Sequence, residues 1–402
     1  MKILLLCKKF PYPQKDGESI AIHTLSLALS ELGCEVSLLA MNTSKHYFNG
    51  NGYPAEAAHF RTIRTVAIDN SIRPWAAFRN LFSGESYHIA RFVSDEFARV
   101  LTDMLQTDTY DVVQLETLYL APYIPTIRKH SDAIVSMRAH NVEHEIWERI
   151  AGNTSNGLKR WYLHHLTAKL KRYEQQVLEQ YDLLLPITQR DQRQFRNMGF
   201  KGLSVVTPIG VSKLEIPKPK EVSPRQSISF IGSLDWMPNV EGLNWFIDEV
   251  WPSLQSAYPQ LELHIAGRNT PKCLLQLNKP GIVVHGEVPD SAAFIQQHPI
   301  MVVPLLTGSG MRAKILEGMA LGKTVLTTSI GLEGIHANHR TEVMIANTPD
   351  QFLESLHYLL NHPNRLQQIS QKARALVQEK YNSKGIAKRV LAAYTNHFAE
   401  IV

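Results

Sequence analysis

The sequence predicts an α/β chain of two successive parallel-sheet domains, and three observations predict it. The chain has 402 residues, more than one hydrophobic core usually organises. Short apolar runs alternate with longer amphipathic segments along nearly its whole length, the pattern of parallel strands covered by helices. Near the middle, Leu214-Glu-Ile-Pro-Lys-Pro-Lys-Glu-Val-Ser-Pro224 sets three prolines among charged residues, which continue neither a helix nor a central strand.

The first domain is expected over 1–206, a linker over 207–226 and the second domain over 227–384, with a helix at 385–402 packing back on the first. Met1-Lys-Ile-Leu-Leu-Leu-Cys-Lys-Lys9 opens the chain. Its apolar run is about half the length of a signal peptide's and is closed by lysines, so it reads as a buried first strand. Further strands are expected at Val36 to Ala40, Thr62 to Ile68, Val112 to Leu115, Ile134 to Met137 and Leu183 to Ile187. Ile22, Leu25, Leu29 and Leu32 recur at helical spacing before Gly33, which gives a β-α-β opening. After the prolines come strands at Ile228 to Ile231, Leu261 to Ala266, Ile282 to Val284, Ile300 to Val303, Thr324 to Thr327 and Glu342 to Ile345. A helix through Leu243 to Leu254 lies among them, and helices fill the chain from Pro349. Both halves are therefore Rossmann-like.

Bulk properties exclude more than they identify. Hydrophobic residues are 44% and charged ones 20%, ordinary for a globular protein. The formal charge of +5 is spread without a basic tract or nucleic-acid motif, so no nucleic-acid partner is expected. Cys7, Cys34 and Cys273 are far apart and lack metal-ligand spacing, which fits a reducing cytoplasm and neither a disulfide framework nor zinc. No apolar stretch approaches the roughly 20 residues of a membrane span.

The segment that carries chemistry is Val303-Pro-Leu-Leu-Thr-Gly-Ser-Gly-Met-Arg-Ala-Lys-Ile-Leu-Glu-Gly-Met-Ala-Leu-Gly-Lys323. It runs from strand through glycine-rich loop to helix. A helix start presents unpaired N–H groups and the positive end of the dipole to phosphate oxygens, and Gly308 and Gly310 allow close backbone approach. With the helix beginning near Gly310, Lys314 and Glu317 share one face while Met311, Ile315 and Met319 line another. Glu317 then lies about 10 Å down the axis with its side chain leaning back, placed to accept the hydroxyls of a ribose on a bound diphosphate. The plain alternative is a glycine turn followed by an ordinary Lys314–Glu317 surface pair. A second alternative is a dinucleotide site of an NAD(P)-dependent oxidoreductase. Gly308-Ser-Gly-Met-Arg-Ala313 satisfies its glycine pattern with Glu333 downstream, although such a motif usually occupies the first βα turn of its domain.

This segment resembles the donor-site signature of the family 4 retaining glycosyltransferases of GT-B fold, in a branch with a GSGMRxKILE-type motif. The resemblance covers nearly the whole chain. Phe230-Ile-Gly-Ser-Leu-Asp-Trp-Met-Pro-Asn-Val240 is similar to the family's first strand and loop of the second domain, His264-Ile-Ala-Gly-Arg268 to its glycine-ended strand, and Val284-His-Gly-Glu-Val288 to its base-contacting loop. In the first domain, Pro13-Gln-Lys-Asp-Gly-Glu-Ser19 resembles the glycine loop and Arg138-Ala-His-Asn-Val-Glu143 the histidine segment. Asp182-Leu-Leu-Leu-Pro-Ile-Thr188 and Thr207-Pro-Ile-Gly-Val211 match in order.

The resemblance implies two Rossmann-like domains facing across a cleft and transfer of a hexose from a nucleotide-diphosphate sugar to a glycan or lipid-linked acceptor. Glu317 would bind the donor ribose, amides from Gly308 through Ser309 and Gly310 to Met311 the diphosphate, and Arg268 or Lys314 would neutralise it. Arg312 and Ile315 fall in the same donor segment, His140 would lie beside the transferred sugar, Gly17 would approach the phosphates, and Val288 would meet the base. Catalytic roles are expected for His140, Lys314 and Glu317. Two departures stand out: Ser309 occupies the place of the first glutamate of the family's usual pair, which leaves a non-catalytic GT-B partner protein as a further alternative, and the usual Gly-Gly reads Gly17-Glu18.

The sequence contains no Asp-x-Asp metal signature, so a metal-independent reaction without a cofactor beyond the nucleotide sugar is expected. Between Gly157 and Glu179, Lys159, Arg160, Lys169, Lys171 and Arg172 lie beside Trp161, Tyr162 and Leu166. This is either a solvated helix face or a contact with an anionic membrane surface.

Overall fold

The computed structural model describes residues 1–14, 16–44, 47–49, 52–73, 75, 79–212, 227–308 and 310–401, with side chains through 397. It divides into two compact units, Met1–Gly210 with Ser383–Val402, and Val211–Asn382.

The first unit holds β1 (Lys2–Cys7), β2 (Glu35–Thr43), β3 (Thr62–Ile68), β4 (Val112–Leu115), β5 (Ile134–Ala139), β6 (Leu183–Pro186) and β7 (Leu203–Ser204). They form one parallel sheet in the order β3-β2-β1-β4-β5-β6-β7. Side chains alternate across a strand, so β1 feeds two layers. Ile3 and Leu5 join Ile22, Leu25 and Leu29 of the helix Gly17–Glu31, whereas Leu4 and Leu6 join Phe97, Leu101 and Ile127. Burial on both faces is why these strands read as unbroken apolar runs.

The helix Ser383–Ile401 completes the layer of Ile3 and Leu5 through Ile386, Ala387, Val390 and Tyr394. Where the chain leaves and re-enters this unit the backbones touch: a Cβ on Gly210 would lie 2.8 Å from Ser383 Cα. The expected linker is therefore corrected at its start. Thr207 and Ile209 are buried, the Thr207 amide bonds Pro186 O at 2.7 Å, and residues 207–210 fold with the first unit. Most of the rest of that linker, 213–226, lies outside the described residues.

The second unit holds β8 (Ser227–Ile231), β9 (Glu262–Ala266), β10 (Ile282–Gly286), β11 (Ile300–Val303), β12 (Thr324–Thr327) and β13 (Met344–Ile345), parallel in the order β10-β9-β8-β11-β12-β13. The single helix expected through Leu243 to Leu254 is three segments: Met237–Trp245, a π-helical turn Phe246–Val250, and Trp251–Ala257. Pro252 has no N–H for the carbonyl four residues back and its ring crowds it, so the turn widens.

In each sheet the first strand lies between its two successors in opposite directions, β1 between β2 and β4 and β8 between β9 and β11. The loops leaving the carboxyl ends there diverge, which opens a crevice where α/β sheets commonly take ligands.

Candidate functional site

In the second unit that crevice is bounded by the loops after β8 and β11. Gly308 and Gly310 both have left-handed φ, 118° and 80°. Helical continuation is impossible there, and the helix runs Ala313–Ala320, with Arg312 at its cap. This corrects the expected start at Gly310. Gly308, Gly310 and Met311 precede the helix in the loop, its first turn begins at Ala313, and Glu317 lies about 6 Å along the axis. Ser309 lies outside the described residues. A Cβ on Gly308 would approach Arg312 Nη2 to 2.6 Å, while the buried Arg312 guanidinium sits 5.3 Å from the Trp236 ring centroid.

Lys314 turns back under this loop. Its Nζ donates to Ile231 O at 3.2 Å and Asn239 Oδ1 at 2.8 Å, and lies 4.8 Å from the Phe230 ring centroid. Asn239 in turn donates to Ser233 O at 2.8 Å, so β8, its loop and the following helix converge on one ammonium. Burial, and then the neighbouring Arg312, push Lys314 down to about 7. Gly232 is required beside it, since a Cβ would stand 2.7 Å from Asn239 Nδ2 and 3.0 Å from Nζ.

Glu317, one turn on, accepts from Ser291 Oγ at 3.0 Å through Oε1. Burial raises its carboxyl, with Asp290 adding to the effect against the Ser291 hydrogen bond. Arg268, two residues past the end of β9, reaches the same crevice, donating from Nη2 to Ser233 Oγ at 3.2 Å. Ser233 Oγ and Asn269 Nδ2 both donate to Asp235, at 2.5 and 2.9 Å. Val288 lies half-buried in the loop after β10. Met311, Ile315 and Met319 are buried, and the Ile315 amide is taken by Arg312 O at 3.0 Å. Ile315 and Met311 therefore present no side chain to the crevice surface.

In the first unit, His140 follows β5. Its Nε2 donates to Glu116 Oε2 at 2.8 Å, which leaves Nδ1 to accept when the imidazole is neutral. Glu116 follows β4, is fully buried, and stands 3.7 Å from Arg138 Nη1, which also donates to Ala21 O at 2.7 Å. Tyr394 donates to Gln114, and Gln114 donates to the other oxygen of Glu116, so a buried polar chain runs from the last helix to His140.

Beside it Lys8 pairs with Glu18 at 3.0 Å, and Tyr119 donates to Glu143 at 3.0 Å. Burial pushes Glu143 up to about 7 against the pull of Lys8. Burial also raises Glu18, but Lys8 and Lys9 outweigh it and hold the carboxyl low. Gly17 begins its helix behind Asp16, which accepts from the Ser19 amide at 3.0 Å and from Lys9 Nζ at 2.5 Å. That helix start is already capped, and a Cβ on Gly17 would only touch Ile209 Cδ1 at 4.0 Å.

Lys314, Glu317, Arg312, Arg268 and the glycine loop thus gather around the second unit's crevice, and His140 takes its place in the first unit's. Sequence reasoning missed Asn239, Ser291 and Trp236 in the second unit and Glu116, Lys8 and Glu143 in the first. Glu116 had a readable signal, a lone carboxylate directly after a predicted strand adjoining the first. Ser291 had none, because only the fold brings it to Glu317. Chemically, the second unit offers cations and loop amides to an anion, and the first offers a hydrogen-bonded imidazole–carboxylate pair.

Residues 225–362 match the family model described as glycosyl transferases group 1. The chain is 24% identical to an uncharacterized 44.6 kDa protein in the cps region of Klebsiella pneumoniae, over 96% of this chain and 97% of that protein. Among solved structures it resembles sucrose-phosphate synthase from Thermosynechococcus elongatus, with TM-score 0.72 and 14% identity over 100% of both chains. HepE from Anabaena in complex with UDP-glucose gives 0.67 and 12% over 98% of this chain and 100% of that one. A glycosyltransferase from Rickettsia africae gives 0.67 and 14% over 99% and 98%. The two parallel-sheet units have the GT-B fold.

Proposed function

We propose that this chain is a GT-B glycosyltransferase that moves a hexosyl group from a nucleotide-diphosphate sugar to a glycan or lipid-linked acceptor in cell-surface polysaccharide synthesis. The observation that carries the reading is Lys314, a buried ammonium bonded to Ile231 O and Asn239 behind a loop with two left-handed glycines. That loop lies inside the segment matching the glycosyl transferases group 1 model. The UDP-glucose bound to HepE and the cps location of the Klebsiella protein support donor class and setting.

In this reading the loop amides from Gly308 to Met311, with Lys314, Arg312 and Arg268, hold the diphosphate, and Glu317 clasps the ribose. Val288 meets the base, and Gly17 with its loop approaches the phosphates. As the bond between the sugar's anomeric carbon and the phosphate oxygen breaks, charge builds on the leaving diphosphate and is met by fixed cations and amides. The acceptor oxygen bonds the same face of that carbon and its proton passes to the departing phosphate, so configuration is retained. His140, held through Nε2 by Glu116, hydrogen-bonds the transferred sugar through Nδ1. We read the reaction as metal-independent, since the sequence has no Asp-x-Asp. The setting is cytoplasmic, at the inner face of the membrane, although no helix among the described residues is long and apolar enough to cross it.

Thermal-shift screening of UDP, GDP and their sugars tests this, since a ligand at 100 times its dissociation constant adds roughly 2.7 kcal/mol of stability. Glu317→Ala should abolish the shift; an unchanged response removes the ribose assignment. Stabilisation by NAD alone would replace the transferase with an oxidoreductase.

A further inference from the structure

The helix Gly157–Gln176 does not present all its cations outward. Lys169 is buried, and its ammonium donates to the backbone carbonyls of Asn80, Leu81 and Ser83. Tyr162 and Leu166 on the same stripe pack against Tyr87. The helix therefore clamps the segment that follows the edge strand β3, and the two make one surface of the first unit.

That segment borders an open hollow of about 450 Å³ lined by Asp69, Arg73, Arg79, Asn80, Tyr87 and Arg91, among others. Three guanidinium groups face it against one carboxylate, Asp69, which Arg73 already engages at 2.8 Å. Arg91 is braced from Nε and Nη2 on Asn70 O, at 3.0 and 2.7 Å. The same stretch of chain exposes large apolar side chains to solvent: Trp75 at 80% and Phe82 at 82%. Along the clamping helix, Leu158 is 78% and Trp161 59% exposed, next to the exposed Lys159 and Arg160.

We propose that this surface docks the protein on a bilayer of anionic phospholipid, a lipid phosphate entering the arginine-lined hollow while Trp75, Phe82 and Trp161 sink into the headgroup boundary. Aromatic rings settle at that boundary because one end is apolar and the other tolerates water. Guanidinium forks match phosphate oxygens in pairs, and the negative surface potential draws each added cation. Neither element is sufficient: exposed rings alone also suit a neutral surface, and three arginines alone would suit any polyanion. The proposal rests on the membrane setting of the transferase reading and gives it a surface; its test needs no donor or acceptor, so its failure would remove the setting and leave the donor chemistry standing.

The test is co-sedimentation of the full chain with vesicles of phosphatidylcholine, with and without phosphatidylglycerol. The wild-type protein should pellet with the anionic vesicles, weakly with the neutral ones, and less as salt is raised. Both Trp75 and Phe82 are exposed, so the double variant Trp75→Ser/Phe82→Ser should fold, by circular dichroism, and lose at least about tenfold in partitioning. Arg79→Ala should lose about fivefold, and Arg365→Gln, on the second unit, nothing. Equal binding to both vesicle types, or unchanged partitioning of the folded double variant, overturns the proposal. So would a double variant that changes only the oligomeric state in light scattering, since the surface would then serve a second copy of the chain.

Discussion

If the ammonium behind the glycine loop is the cation that meets the diphosphate, donor binding must take up a proton. Free Lys314 sits at about 7 rather than 10.5, because burial strips its hydration and Arg312 repels it. A diphosphate beside it adds an opposite charge that outweighs both effects and lifts the group well above that value. Above pH 7 the free protein therefore holds too few protons and must gain one on binding. Affinity should be flat below pH 7 and weaken by at most tenfold per unit above it, or about 30-fold at pH 8.5. Isothermal titration of the stabilising nucleotide sugar at several pH values, in buffers of different ionisation enthalpy, measures both the slope and the proton uptake. Lys314→Arg keeps the charge at every pH and should abolish the slope. The ligand-free protein should show the opposite trend: since the unfolded chain binds the extra proton between pH 7 and 10.5, this group makes folding more favourable as pH rises through that window. A wild-type affinity constant from pH 7 to 8.5, with no proton uptake, refutes the role of Lys314.

Gly308→Ala places a side chain where φ is 118° and 2.6 Å from Arg312 Nη2, which should cost about 1–3 kcal/mol and weaken donor binding; an unchanged melting temperature would contradict it. His140→Asn should lower transfer by on the order of 10²-fold while leaving the donor thermal shift intact, and full activity would remove His140 from the chemistry. Tyr394→Phe loses a buried hydrogen bond to Gln114 and should cost about 1 kcal/mol in denaturant unfolding. No loss there would mean that the C-terminal helix is held by its apolar contacts alone.

How much of this was legible depends on the range of the interactions. The strands at Val112–Leu115, Ile300–Val303 and Thr324–Thr327 stand where their apolar runs put them, because burial on both faces writes itself into consecutive residues. The helix start did not, since a glycine's φ is invisible in its letter: Gly308 and Gly310 serve equally at a helix N-terminus or in the left-handed turns found here. The two-residue strand Leu203–Ser204 is too short to carry any period. The sequence sets Lys169 among the charged residues between Gly157 and Glu179, and only the carbonyls of Asn80, Leu81 and Ser83, nearly ninety residues upstream, explain why it turns inward. In the candidate site, the glycine segment and its Lys314 and Glu317 were readable from local spacing. Glu116 stands directly after a predicted strand, but its role, like that of Ser291, depends on a partner reached through a hydrogen bond spanning more than twenty residues.

The return of the helix Ser383–Ile401 to the sheet of β1 makes the second unit an insertion within the first, and this orders events during synthesis. Residues 211–382 are complete on emergence and are free to fold at once. The earlier-made sheet must wait, with the side of Ile3, Leu5 and Ile22 that Ile386, Val390 and Tyr394 will cover still wet. During that interval the nascent chain carries an apolar strip that invites chaperones or misassociation. A chain cut just before Ser383 would therefore leave the second unit finished and the first unsealed.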